Sequence, residues 1–326
     1  MYIQNYKDLT VGFEQRWKYQ PLYYGSVSSD RILELCARGA ITKAEVAVMK
    51  FLMKVKIAPV ELIQACVKEV KEMNANDLTS RLRQLVKFRI MNSCVFTDVP
   101  VQIADYDELA CEFFCLDYGA LTILRSVNDS LLLDEWKAVD CMMTGLQAKR
   151  QCMLIELIKR LYEEIPDKVG YVHSHKIYGK KGTRFVPKLE FGILDTSNEN
   201  DEFKNCYKTY LVEVVTDEDM YQGVESELFN KLTRYGNLLD TSEDEDKWRL
   251  YFTESVTIPT VILLSDGLRS ASISAKQVAD IGIAKSRYCI LDDKKDLSKC
   301  FYRYNSADLV PVNLLAFAKA EKQATK

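Results

Sequence analysis

Apolar residues recur at three- and four-residue spacing along NANDLTSRLRQLVKFRIM (residues 74–91), where Leu78, Leu82, Leu85, Val86 and Ile90 predict a helix with one buried stripe. Asn76 or Asp77 is suited to cap it. Thr79, Ser80, Arg81, Arg83, Gln84 and Lys87 point away from the stripe. Two helices are predicted just before it. The first follows the capping-box pattern Thr42-Lys-Ala-Glu45 and buries Val46, Met49, Leu52 and Met53. The second opens at Pro59, a residue favoured in a first helical turn, and runs through VELIQACVKEV. A shorter helix over SSDRILELCARGA, stopped at Gly39, precedes both. After Ile90 the period changes, and MNSCVFT followed by ELACEFFCL reads as two strands.

The chain from DYGALTIL to LYEEI is mostly helical in pattern, with Leu154, Ile155, Ile158 and Leu161 forming an apolar seam. Beyond Pro166 the pattern becomes α/β. YVHSHKIYGKKGTRF is predicted as a hairpin turning at residues 179–182, and PKLEFGIL and YKTYLVEVVT as strands. SELFNKLTRYGNLL is a helix, TVILLSDG a buried strand with a turn, ISAKQVADIGIA a helix and RYCILDD a last strand.

Composition narrows the class. The 326 residues are 48% hydrophobic and 28% charged, which fits about two folded domains and not a disordered chain. No apolar run reaches membrane-spanning length and no signal-peptide pattern opens the sequence, so a soluble, cytoplasmic protein with no membrane partner is expected. The ten cysteines are scattered through apolar runs and include no CxxC pair, so buried reduced thiols are expected. Cys111 and Cys115 have only His173 and His175 as distant co-ligands, so no metal site and no cofactor is expected. GxGxxG, GKS/GKT, GxSxG and HExxH are all absent.

Charge is uneven. Residues 42–99 carry ten Lys and Arg against six acids, a balance of +4. Residues 195–254 carry six against sixteen, a balance of −10. A basic region attracts polyanions and an acidic one repels them, so the two halves are expected to meet different partners.

Three helices followed by a β-hairpin is the order of a winged helix-turn-helix, whose third helix enters the major groove of double-stranded DNA. Thr79, Ser80, Arg81, Arg83, Gln84 and Lys87 are the DNA-facing candidates. A basic, aromatic stretch adds Lys180, Lys181 and Arg184, beside Lys176, Tyr171, Tyr178, His173 and His175. That stretch equally suits an exposed turn. The expected fold class is α+β. It comprises an N-terminal extension (1–40), a winged helix-turn-helix (41–116), a helical linker that could carry a homodimer contact (117–166), an α/β domain (167–312) and a tail (313–326).

This order resembles the replication-relaxation family of plasmids and other mobile elements. The likeness is carried by LTSRLRQLVKFRIM, LDYGALTIL, RFVPKLEFGIL and YLVEVVTDEDMYQGVESELFNKLTRYGNLL. The resemblance implies a sequence-specific DNA-binding protein acting in transcription, replication or transfer. It also implies a second domain similar to a restriction-endonuclease-like core, in which an aspartate and a Glu-x-Lys hold Mg²⁺ and activate water. Here Pro187-Lys188 stands at the Pro-Asp position, and Glu213-Val214-Val215 lacks the lysine. An inactive domain is therefore expected. The alternatives are a Mg²⁺-dependent nuclease with migrated groups, using Glu213, Lys231 and Glu190 or Asp195, and an adaptor whose acidic domain docks a replication or transfer protein.

Overall fold

The computed structural model describes residues 2–9, 14–17, 28–98, 110–127, 142–174, 176–178, 185–195, 207–222, 225–239, 247–253, 255, 257–283 and 285–315. The chain is mixed α+β and forms two compact units, Met1–Lys159 and Arg160–Lys326.

In the first unit, helix α1 (Ser29–Ala37) starts where the Ser28 hydroxyl accepts from Arg31 N at 3.3 Å and ends before Gly39, whose φ of +71° suits glycine. Helix α2 (Lys43–Val55) begins at the capping box, with Thr42 N donating to the Glu45 carboxylate at 2.6 Å. Pro59 closes the short strand β2 (Ile57–Pro59) and caps α3 (Val60–Cys66), lying just outside the helix instead of in its first turn. This helix is shorter than its sequence pattern suggests, because the chain tightens into a 3₁₀ turn at Lys68–Val70. Helix α4 (Ala75–Lys87) follows, and its cap is Asn74, whose side chain accepts from Asn76 N at 2.8 Å. The expected caps, Asn76 and Asp77, thus lie inside the first turn.

Strands β3 (Met91–Thr97) and β4 (Glu112–Leu116) pair antiparallel, with Cys94 opposite Phe113. Strand β2 joins the other side of β4. The N-terminal segment adds β1 (Glu14–Trp17) against β3, completing the order β1-β3-β4-β2. No alternating pattern in EQRW marked it beforehand. Helices α2, α3 and α4 bury Val48, Met49, Leu52, Ile63, Leu82 and Val86, while α4 also packs on β3. After α4 the chain reverses at Arg89, with φ +58°, and Ile90 N donates to Leu85 O at 3.0 Å. Helix α5 (Tyr118–Val127) begins on this reversal, where a Cβ on Gly119 would lie 2.6 Å from Arg89 O, so only glycine fits. The division between the units falls within α6 (Gly145–Glu164).

The second unit is built on a seven-stranded sheet. Its strands are β5 (Val169–Ser174), β6 (Leu189–Leu194), β7 (Tyr207–Val215), β8 (Thr260–Ser265), β9 (Ser286–Ile290), β10 (Phe301–Tyr304) and β11 (Leu309–Val312), in the order β11-β10-β9-β8-β7-β6-β5. β7, β8 and β9 run parallel and the outer pairs are antiparallel. Parallel neighbours need crossovers. These contain α7 (Asp217–Gln222) with α8 (Glu225–Leu239), and α9 (Leu268–Ile281). Central β8, VILLS, is buried on both faces, which its unbroken apolar run anticipates. Tyr235 and Leu232 of α8 and Ala271, Ala275 and Val278 of α9 pack on Leu211, Val215, Val261 and Leu263. Beyond the anticipated last strand, β10 and β11 form a hairpin whose turn is held by Asn305 Oδ1 accepting from Ala307 N and Asp308 N. Among the described residues no helix is long and apolar enough to cross a membrane.

Candidate functional site

Helix α4 sorts its residues by face. Leu78, Leu82, Leu85 and Val86 are buried, while Asn76, Asp77, Ser80, Gln84 and Lys87 are exposed. Asn76, Ser80 and Gln84 stand four apart, so they line up along the outer surface over about 12 Å. Thr79 lies at the margin, and its hydroxyl bonds back to Ala75 O at 2.8 Å.

The two arginines sit on opposite flanks of this stripe and are tied down. Arg81 pairs through Nε with the buried Glu45 carboxylate, donates from Nη2 to Ala40 O at 3.0 Å, and from Nη1 to Gln84 Oε1 at 3.2 Å. Arg83 Nε reaches Glu112 Oε2 at 2.9 Å. Both carboxylates are buried, with side chains 6% and 4% exposed. Removing a cation from a buried carboxylate costs about 3–5 kcal/mol, and the low end applies here because the arginines are one-third exposed. A bidentate contact to the right base is worth about 1–3 kcal/mol of discrimination against a wrong one. An arginine that left its carboxylate for a base would give up at least as much as such a contact discriminates. Arg89 repeats the pattern, with Nε 2.7 Å from Asp117 Oδ2.

Glu45 carries a pH dependence. Burial alone would raise its carboxyl, but hydrogen bonds from Thr42 and Arg81 outweigh that and hold it below the usual 4.5. The stability it contributes is fully present above pH 4.5 and is lost as pH falls through the lowered value. Glu45→Gln is expected to cost stability at pH 7 and to flatten the acid limb below pH 4.5. Denaturant midpoints of the first unit between pH 7 and 3 measure this, and an unchanged acid limb would refute it.

The second unit gathers a different set. β6 places Glu190 opposite Leu211 of β7, two residues before Glu213, so the two glutamates are diagonal neighbours on one face of the sheet. Each is 2% exposed. The Tyr178 hydroxyl donates to Glu190 and the Tyr235 hydroxyl to Glu213. Burial, with the Glu213 charge behind it, pushes the Tyr235 hydroxyl well up, so it stays protonated as a donor. Lys231 Nζ, from α8, lies 2.7 Å from Glu213. Thus Glu190, Glu213 and Lys231 come together, whereas Asp195 pairs with Lys208 at 3.2 Å. Lys188 is exposed and Val215 belongs to the apolar core.

Of the basic hairpin, Tyr178 and Phe185 form an antiparallel bridge and Lys176 lies 5.1 Å from the Tyr178 ring centre. Lys180, Lys181, Arg184 and His175 lie outside the described residues. His173 stacks on Tyr171 with ring centres 5.2 Å apart. The eight described cysteines are free thiols, and burial raises those of Cys111, Cys152 and Cys289. No group of three or more His, Cys, Asp or Glu among the described residues is arranged to hold a metal ion.

The pattern along α4 pointed to the exposed stripe, but the arginines' partners lie far away in sequence. Glu45 was readable only as a capping residue and Glu112 only as part of a strand. Comparison with protein-family models, with curated proteins and with solved structures finds no match to this chain.

Proposed function

We propose that this chain binds double-stranded DNA through the exposed stripe of α4. The observation that carries the reading is the polar line Asn76, Ser80, Gln84 and Lys87 backed by a fully buried apolar face. Its setting supports the reading. The order α2, β2, α3, α4, β3, β4, with β2 returning to β4, supports reading the segment as a winged helix-turn-helix with α4 as its recognition helix. The likeness to replication-relaxation proteins suggests a mobile element as the biological setting.

The stretch joining β3 and β4 carries Asp98, Asp105, Asp107 and Glu108 and no Lys or Arg, so it is ill suited to phosphates. Phosphate attraction then rests on the exposed lysines of residues 42–99, which are Lys43, Lys54, Lys68, Lys71 and Lys87. Each phosphate neutralised adds about −0.9 to the log–log salt slope. Lys87→Ala is expected to reduce that slope by about 0.9 and to weaken all duplexes alike. Anisotropy titrations across a salt series test both, and salt-independent behaviour or no binding to any duplex would reject the reading.

A second reading is favoured by one observation, the approach of Lys231 to Glu213 beside Glu190. Two carboxylates and an ammonium are the groups a Mg²⁺-dependent phosphodiesterase uses. Against it, tyrosine hydroxyls occupy both carboxylates and each glutamate is sealed from solvent. Supercoiled plasmid with Mg²⁺ or Mn²⁺ separates the readings: cleavage lost in Glu213→Gln would favour the enzyme.

A further inference from the structure

We infer that α4 reads adenine and discriminates against guanine, an inference that rests on the DNA-binding reading above. Guanine shows two acceptors in the major groove, O6 and N7, and its usual reader is a guanidinium. The two guanidiniums of α4 are committed to Glu45 and Glu112. What α4 offers outward is a different set of groups. Asn76 and Gln84 each present an amide, a donor beside an acceptor, which complements the N7 acceptor and N6 amino group of adenine. Against guanine an amide satisfies one acceptor and turns its own oxygen towards the other. Exposed Asp77 offers only acceptors and is likewise matched to amino groups, those of adenine or cytosine. Lys87 lies in the last turn, beyond the N-terminal part of a recognition helix that meets the bases, where its charge suits a phosphate.

Arg81 has a role here as a positioning residue. Its Nη1 donates to Gln84 Oε1, which fixes the oxygen end of that amide and leaves the two N–H groups and the second lone pair of the oxygen directed elsewhere. The buried Glu45 holds Arg81 in turn, so the capping box of α2 orients a base-reading amide on α4.

The test uses the full chain and a randomised duplex pool, with the bound fraction sequenced. Adenine is expected at the positions α4 contacts. Replacing one of these adenines by 7-deazaadenine, which lacks the N7 acceptor, is expected to weaken wild-type binding about tenfold. Gln84→Ala should abolish the penalty at one position and Asn76→Ala at another. Arg81→Ala should shrink the Gln84-dependent penalty while retaining the Asn76-dependent one, a split that a merely structural role would not produce. A guanine-centred site whose preference disappears in Arg83→Ala, or salt-sensitive binding without base preference, overturns the inference and leaves DNA binding standing. No salt-sensitive binding to any duplex removes the DNA-binding reading itself.

Discussion

Lys231→Met is expected to destabilise the second unit by about 3 kcal/mol while leaving the first unit's melting unchanged. Methionine keeps most of the aliphatic stem but deletes the ammonium that lies 2.7 Å from Glu213. The Glu213 side chain is 3% exposed, so water cannot replace the lost charge. Breaking a buried pair by removing one partner costs about 3–5 kcal/mol, and the low end applies because the lysine is about one-quarter exposed. Adding Glu213→Gln should recover most of the loss, since an amide oxygen still accepts from the Tyr235 hydroxyl without leaving a buried charge. Urea titrations of the two singles and the double give the coupling directly. Should Lys231→Met melt like the wild type, the pair is a surface contact and the cluster is not held by charge.

Leu82→Ala is expected to cost the first unit about 3 kcal/mol, or a fall in its melting midpoint of roughly 6–12 °C. Leu82 is fully buried, so truncation leaves a cavity where α4 meets its neighbours. Ser80→Ala, two residues away on the exposed face, should change stability by less than about 0.5 kcal/mol. Below its lowered midpoint, Leu82→Ala should still bind the duplex that wild type binds, whereas Gln84→Ala should bind it weakly at full stability. Scanning calorimetry beside anisotropy separates the two losses. Equal stability for Leu82→Ala and Ser80→Ala would mean that α4 does not present the faces described.

Glu213 and Lys231 show how far local pattern carries. Eighteen residues separate them, and a motif reading that requires Glu-x-Lys finds valine at Val215. On the folded chain, α8 crosses the face of β7 and brings Lys231 back to the same carboxylate. The β10–β11 hairpin was missed for another reason. Its strands are short, and edge strands take their partners from the sheet more than from their own composition. Tyr178 was legible only as part of a basic, aromatic stretch and Tyr235 only as a helix residue, because a tyrosine's sequence neighbours give no sign of which acceptor its hydroxyl will reach.

The amphipathic period of α4, the capping box at Thr42, the strand pattern of β3 and the apolar run of β8 were all determined by the sequence itself. Each depends on residues within a turn or two of one another, where spacing fixes direction. Whether Arg81 and Arg83 face a ligand or a carboxylate was decided only in the tertiary structure. Glu45 lies 36 positions from Arg81 and Glu112 lies 29 from Arg83. Burial of those two acids makes it costly to leave either unpaired, and burial is a property of the packed chain, not of any segment in it.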